Sequence, residues 1–380
     1  MKVHWVLAPA SAAVIFVSVA KSGHEVPVYP SFYPHEIEIR TIPSKEAGHL
    51  LREGKLHAYI GGTPVFTSPK PAHVAHVESL GSYILVRLNP ESALAREPSQ
   101  ACAALDGVLR KMAENAGETV VFHPYPVTPF HGDYLYHADR ARAERERLLS
   151  ASIAPPASPR VRVASDEARN LVPADWLTEG TEWTIAIEDL SAARLVADET
   201  VILNGWIGPP WARSGWYQAY RVLGDFAANE SIGKAQKAIV ARLQANEGPD
   251  AVERINLELQ LVEGLAAGCQ ARVAGYTVKR EFINVDSSAG IENVSFDTIE
   301  GLSSPMFLKT AKLKDFPWNG WLNLGVPGHP DAAWNPIAGF NDPFGRLVWY
   351  AVGDQAAIPS PYESAWTFNR ISELEGAPRK

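Results

Sequence analysis

The sequence contains few cysteines, and this limits the cross-links and the thiol chemistry that the fold can use. Among 380 residues only Cys102 and Cys269 are cysteines. They lie far apart and lack the CxxC or zinc-ligand spacing of redox and metal motifs. Each falls in an apolar, helix-like stretch, so the pair either forms one long-range disulfide in an oxidising compartment or remains two separate buried thiols. Cysteine catalysis has little support in either case.

An excess of positive charge is also missing. The chain has 35 Lys and Arg against 43 Asp and Glu, which gives a formal net charge of −8. A general nucleic-acid binder needs a basic face to neutralise phosphates, so we expect no nucleic-acid partner. The apolar share of 46% and the charged share of 21% are ordinary for a soluble globular protein. The length is sufficient for two domains.

The one long uncharged run lies at the N-terminus. Lys2 is followed by about sixteen residues without a charge, ending in Ser18-Val19-Ala20. Small residues at positions −3 and −1 fit cleavage by signal peptidase after Ala20, and the run is short for a membrane span. We predict that residues 1–20 form a signal peptide and that the protein is periplasmic or otherwise secreted. A retained anchor and a buried first element of a cytosolic protein are the alternatives.

Common catalytic motifs are absent from the sequence. It contains no GxSxG elbow, P-loop, HExxH, CxxCH or EF-hand loop. No glycine fingerprint follows a predicted strand in the Rossmann arrangement. These absences favour a non-catalytic protein over an enzyme.

The hydrophobic pattern predicts an α/β protein with two domains. Residues 24–150 alternate strands and helices, with an apolar strand at 82–88 and an amphipathic helix at 99–114, which predicts a mainly parallel sheet covered by helices. Residues 151–160 are rich in Ser, Ala and Pro and predict a linker. Residues 161–380 then predict a second mixed α/β domain that is rich in Trp. Its C-terminal extension has the Trp/Pro-rich texture of short strands and loops.

The stretch Glu118–Asp139 contains the candidate binding residues of the first domain. A predicted strand ends at His123, and Thr128 followed by Pro129 predicts the start of a helix. Ligands commonly bind where a strand ends in front of a helix N-terminus in α/β proteins. The candidate ligand-binding residues of this stretch are His123, Tyr125, Thr128 and His131.

Histidines are concentrated in the first part of the chain, where ten of the eleven precede residue 138. Neutral imidazole is a common ligand of transition metals, which predicts a copper, iron or zinc site. The candidate metal ligands are His123, His131, Asp133 and His137, of which Asp133 and His137 are helical i, i+4 neighbours. A polar or anion pocket and purely structural roles are the alternatives, because no local chelating motif is present.

Aromatic residues mark the candidate binding surface of the second domain. Trp206, Trp211 and Trp216 fall in one short stretch, where indole rings either line a concave ligand surface or fill a core. Near the C-terminus, four polar residues either hydrogen-bond a polar ligand or hold turns: Asn319, Asn335, Asn341 and Asp342.

The segment SKEAGHLLREGKLHAYIGGTPVF, residues 44–66, resembles the helix–Gly–strand segment of periplasmic substrate-binding proteins of the phosphate/phosphonate type. The resemblance extends over about residues 25–140, roughly a third of the chain. It implies two α/β lobes with a ligand cleft between them. It also implies a small oxyanion as ligand and a membrane transporter as partner.

These observations lead to one hypothesis and two rivals. We expect an exported, non-catalytic solute-binding protein that holds a small anion, a metal or a metal complex in a cleft between two lobes. The first rival is a metal-dependent exported enzyme or redox accessory protein with an open copper, iron or zinc site. The second is a Trp-rich carbohydrate-binding protein.

Overall fold

The structure is a computed structural model that describes residues 34, 36–150, 154–156, 159–203, 206–246, 250–315, 320–330, 342–353, 355–360 and 365–369. The predicted signal peptide, residues 1–20, lies outside the described residues. The predicted linker 151–160 is described only at 154–156 and 159–160, and residues 201–203 and 206 are described by their backbone alone.

Strands and helices alternate along most of the described chain. The strands are β1 (Glu36–Thr41), β2 (Ala58–Tyr59), β3 (Val74–Leu88), β4 (Val120–Phe122), β5 (Val161–Val163), β6 (Ile185–Ser191), β7 (Val201–Leu203), β8 (Trp206–Gly208), β9 (Ala271–Asn284), β10 (Ile291–Glu292), β11 (Lys312–Leu313), β12 (Trp321–Val326), β13 (Ala357–Pro359) and β14 (Trp366–Phe368). The helices are α1 (Ser44–Arg52), α2 (Ala93–Arg96), α3 (Pro98–Asn115), α4 (Tyr134–Ser150), α5 (Asp166–Arg169), α6 (Ala192–Glu199), α7 (Gly215–Leu223), α8 (Glu230–Gln244), α9 (Ala251–Ala266), α10 (Pro305–Thr310) and α11 (Pro343–Val352).

The main sheet has the strand order β1-β12-β2-β9-β3-β6-β5, and β4 also pairs with β9. Its outer pairs β1–β12, β12–β2 and β5–β6 are parallel. The pairs that β9 forms with β2, β3 and β4 are antiparallel, and so is β3–β6. The α/β class predicted from the sequence is therefore confirmed, whereas the expectation of a mainly parallel sheet is wrong. Most of the antiparallel pairing comes from the long strands β3 and β9, which lie in distant parts of the chain.

The β3–β9 ribbon connects two hydrophobic core regions. At one end of the ribbon, Val77 of β3 and Ile283 of β9 pack with β12, α10 and α11. At the other end, Leu85 and Val86 point to opposite faces of the sheet and pack with α6 to α9 and with α3, respectively. The structure thus has a lobe at each end of the ribbon, as the two-lobed prediction requires. The predicted stretches 24–150 and 161–380 both contribute strands to this sheet.

The two cysteines are joined. Cys102 in α3 and Cys269, just before β9, form a disulfide with a Cα–Cα distance of 4.6 Å. The alternative of two separate buried thiols is wrong, and the bond fixes α3 to the start of the ribbon.

Helix α4 begins at Tyr134 and not at Pro129, so the predicted helix start is wrong. Residues 128–133 form turns, in which the amides of His131 and Tyr134 donate to the carbonyls of Thr128 and His131 at 3.0 and 3.1 Å. The imidazole of His131 also accepts the Thr128 amide at 3.0 Å. Such side-chain hydrogen bonds compete with helical ones and delay the helix by one turn. None of the described helices has the length and apolar character that crossing a membrane requires.

Candidate functional site

His123, the predicted centre of the site, is a buried residue between aromatic rings. Its Nε2 atom donates to the carbonyl of Val127 at 2.9 Å, and its ring lies 5.9 Å from that of Tyr134 and 5.6 Å from that of Tyr276. Burial lowers the pKa of His123, and the hydrogen bond to Val127 opposes that effect. One nitrogen of the imidazole is therefore already hydrogen-bonded to the backbone.

His131 and Thr128 belong to a buried hydrogen-bond network. The Nδ1 atom of His131 accepts the Thr128 amide, and its Nε2 atom lies 2.9 Å from the Tyr83 hydroxyl and 3.2 Å from Oε1 of Gln218. The Tyr83 hydroxyl donates to the same Gln218 oxygen at 2.7 Å. Because Nδ1 accepts this amide, the N–H of the ring lies at Nε2, toward Tyr83 and Gln218. The network holds the turn after β4 against α7.

Asp133 connects the two predicted halves of the site. Its two carboxylate oxygens accept the amides of Gly215 and Trp216 at 2.9 and 3.1 Å, at the start of α7. A carboxylate at a helix N-terminus is stabilised by the free amides and by the helix dipole. His137 lies nearby, fully buried, with Nδ1 3.2 Å from the Tyr125 hydroxyl and with no hydrogen bond to Nε2 in the described chain. Burial lowers the pKa of His137 to about 4.

The tryptophans of this region pack as a core. Trp216 is fully buried, and its ring centroid lies 6.5 Å from that of Trp211 and 5.5 Å from that of Tyr217. Trp206 is described by its backbone only. His131 and Asp133 therefore contact α7 directly, through their hydrogen bonds to Gln218 and to the amides of Gly215 and Trp216. Among the residues that the structure describes, no three His, Cys, Asp or Glu side chains are grouped so that they hold a metal ion. The assignment of these residues to a ligand or a metal remains a prediction.

A cavity of about 630 Å³ lies elsewhere, between α6 and the N-terminus of α11. We call it the α6–α11 cavity. Its floor is the middle of the β3–β9 ribbon, and the turns at Gly61 and at Ser303 complete its wall. Because α6 packs in the core region of α7 and α9, and α11 packs in that of β12, the cavity lies between the two lobes. The charged residues that line it are Arg194, Asp198, Lys279, Glu300, Asp342 and Arg346.

Arg346 is the buried cation of the α6–α11 cavity. The residue is 9% exposed, and its Nη2 atom donates to the carbonyl of Ala197 in α6 at 3.1 Å, so the side chain crosses from one lobe to the other. Its Nε and Nη1 atoms are buried and make no hydrogen bond within the described chain. No ion pair joins this guanidinium to any carboxylate that the structure describes within 4.0 Å. The three N–H donors on Nε and Nη1 of this buried cation therefore have no acceptor among the described residues.

Asp342 lies one helical turn before Arg346. Its Oδ1 atom accepts the amides of Phe344 and Gly345 at 3.0 and 2.8 Å and caps α11, which agrees with the turn-holding alternative for this residue. Its other oxygen, Oδ2, is buried and accepts no hydrogen bond in the described part of the chain. The predicted partners Asn319, Asn335 and Asn341 lie outside the described residues.

Glu281 organises the floor of the cavity although it does not line it. This fully buried carboxylate accepts the amides of Gly61 and Leu302 at 2.8 and 2.6 Å, and it pairs with Lys279 at 2.8 Å. Gly301, next to Leu302, has a φ of +69°, and a Cβ there would collide with the carboxylate. One carboxylate thus fixes a cationic side chain and two turns of the wall.

Glu300, which lines the cavity, forms a buried ion pair with an arginine outside the lining. Arg213, itself buried, pairs with Glu300 and, at 3.0 Å, with Asp297. Burial raises the pKa of Glu300, and the charge of Arg213 opposes that effect. Lys279 and Glu300 therefore make direct ion pairs, whereas Arg346 makes none within 4.0 Å among the described residues and acts on Glu300 only through its charge. This arrangement suits the binding of a negatively charged group.

The sequence analysis did not select Arg346, Lys279 or Glu281. A signal for the first was present, since Arg346 is the one basic residue in the apolar helix PFGRLVWYAV. A charged residue within an apolar helical run is rarely buried without a partner or a function.

Comparisons with known proteins give similarity in structure only. No family model matches the chain, and no curated protein matches it. The solved structures that it resembles include the ABC transporter-associated periplasmic binding protein DppA from Helicobacter pylori in complex with a peptide, at 13% identity and a TM-score of 0.39. That match covers 72% of this chain and 56% of DppA.

Two further solved structures are similar to a comparable degree. The oligopeptide-binding protein AppA from Bacillus subtilis, in complex with a nonapeptide, is 12% identical with a TM-score of 0.37, and 70% of this chain covers 58% of AppA. NikZ from Campylobacter jejuni, in complex with Ni(L-His), is 11% identical with a TM-score of 0.33, and 65% of this chain covers 55% of NikZ. The chain thus spans little more than half of the length of these proteins. They are not phosphate or phosphonate binders by name, so that subtype stays a prediction.

Proposed function

We propose that this chain is a solute-binding protein that holds a small anionic solute in the α6–α11 cavity. The observation that carries the proposal is Arg346, a buried guanidinium with three N–H donors that no described residue accepts. Buried N–H donors without acceptors are costly, because they have lost their hydration without gaining hydrogen bonds in exchange. A ligand with a carboxylate or another oxyanion supplies those acceptors and matches the planar donor geometry of arginine.

The place of the cavity supports the same function. It is a concave site between two lobes, and its volume lies in the range of small-molecule sites, about 300–1,000 Å³. Arg194 is an exposed basic residue of the same lining. An anionic metal complex belongs to the same charge class as a free organic anion, so this cavity suits either cargo.

Export and a membrane transporter partner are part of the proposal. They are supported by the Ser18-Val19-Ala20 cleavage pattern and by the resemblance of residues 44–66 to periplasmic substrate-binding proteins.

A thermal-shift comparison of wild type and Arg346→Gln tests the proposal. The probes are phosphate, sulfate, succinate, citrate and ferric citrate, because ligands that bind only the folded state raise the melting temperature. We expect at least one anion to stabilise the wild type and to lose its effect on Arg346→Gln. Arg142→Gln is the control, since Arg142 is exposed on α4. The proposal is wrong if no anion stabilises the wild type, or if Arg346→Gln responds as the wild type does.

A further inference from the structure

The α6–α11 cavity is large for an inorganic anion. Its volume of about 630 Å³ is that of a site for an organic molecule with many non-hydrogen atoms. A lone sulfate or phosphate would leave most of the lining without contacts. The size therefore favours an organic anion over a simple oxyanion.

Two arginines, Arg194 and Arg346, line the cavity. The Nη2 atom of Arg346 is 3.1 Å from the carbonyl of Ala197, and Arg194 precedes Ala197 by three residues on α6, so both lie on one helix face. Arg346 is buried and Arg194 is exposed. One carboxylate on Arg346 and a second on Arg194 would place the ligand along the cavity, from its depth to its entrance.

The other charges of the lining restrict where a carboxylate lies. Lys279 and Glu300 are occupied by Glu281 and Arg213, respectively. Asp198 is exposed on α6, one turn after Arg194, and so lies beside it on the same helix face. A second carboxylate bound by Arg194 is therefore expected on the side of the guanidinium that faces away from Asp198.

A hydrogen-bond donor on the ligand would satisfy one further group of the cavity. The Oδ2 atom of Asp342 is buried and has no donor among the described residues. A carboxylate of the ligand cannot serve it. A hydroxyl group can, and it stabilises Oδ2 without adding a charge.

We infer that the ligand is a hydroxylated organic anion with two or more carboxylates, bound by Arg346 and Arg194 and donating its hydroxyl to Asp342. This inference rests on the proposed function and names the ligand class of the same cavity. Citrate is a representative of the class, and tricarballylate has the same three carboxylates without the hydroxyl.

Calorimetric titration of the full chain with citrate, tricarballylate and phosphate tests the inference. We expect citrate to bind at least tenfold more tightly than tricarballylate, since a hydrogen bond to a charged group is lost. Asp342→Asn keeps a good helix cap and should remove most of that preference. Arg194→Gln changes an exposed side chain and should weaken citrate severalfold while glycolate, which has one carboxylate, binds as before.

The outcomes separate the two proposals. If phosphate or sulfate binds more tightly than citrate, and Arg346→Gln loses that binding, the proposed ligand class is wrong but the anion-binding function stands. Equal affinities for citrate and tricarballylate in the wild type would overturn the hydroxyl assignment. Absence of any anion binding would overturn both proposals.

Discussion

Replacement of Glu281 by glutamine should destabilise the protein strongly, although the change is nearly isosteric. The carboxylate is fully buried and accepts from two amides and from the Lys279 ammonium. A glutamine side chain has one oxygen and one NH₂ group, so the NH₂ group must face at least one of these donors.

The magnitude follows from those contacts. Loss of a hydrogen bond to a charged group removes about 1.5–3 kcal/mol, and a buried donor left unpaired adds about 1–3 kcal/mol. We therefore expect Glu281→Gln to lower the free energy of unfolding by about 3–5 kcal/mol. With an unfolding entropy of about 2 cal/mol/K per residue, this corresponds to a fall in melting temperature of roughly 5 °C.

Scanning calorimetry of the purified full chain, with Glu188→Gln as the matched variant, measures this difference. Glu188 is also a strand glutamate that pairs with a cation, Arg87, at 2.7 Å, but its side chain is 29% exposed. A partly exposed pair contributes at most about 1 kcal/mol. If both variants melt within about 1 °C of each other, Glu281 does not hold the cavity floor as we describe.

Three further predictions concern other parts of the molecule. Replacing Cys102 and Cys269 by serine should lower the free energy of unfolding by about 3–5 kcal/mol, because the disulfide closes a long loop. In urea unfolding, reductant should lower the midpoint of the wild type and leave that of the variant unchanged. Burial lowers the pKa of His137 from 6.5 to about 4, so the unfolded chain binds the proton more tightly than the folded one. The free energy of unfolding should therefore fall by about 3 kcal/mol as the pH drops from 6.5 to 4, and this fall should be absent in His137→Gln. If the free energy of unfolding depends on pH in the same way for both proteins, the assignment is wrong. Gly301→Ala should destabilise by about 2–4 kcal/mol because of its positive φ and the carboxylate beside it, whereas Gly117→Ala, with open space around it, should not; equal urea midpoints for the two variants would refute this.

Much of the local structure was predictable from the sequence. The helix at 99–114 and the strand at 82–88 follow from hydrophobic periodicity, and the structure contains them as α3 and the second half of β3. The first half of β3 was missed because its sequence, VAHVESLG, mixes polar residues into the strand and ends in a register shift. Its pairing with β9 joins residues about two hundred positions apart, which no local pattern encodes.

The candidate site was harder to predict for the same reason. Histidines and tryptophans were selected by residue type, yet those with described side chains are packed or hydrogen-bonded within the fold, as His123 and Trp216 show. Arg346 is distinctive because, among the described residues, Ala197 is its one hydrogen-bond partner and its Nε and Nη1 donors have none. That property depends on which groups surround it in space, and composition does not reveal it.

The long antiparallel ribbon has a consequence for attempts to divide the protein. β3 belongs to the first half of the chain and β9 to the second, and they pair over almost their whole length. A fragment cut near residue 155 would present an unpaired strand of about fourteen residues along an open sheet edge, which is an aggregation hazard. The halves should therefore be insoluble when expressed separately and should reassemble when they are co-expressed, which makes this chain a natural starting point for a split reporter.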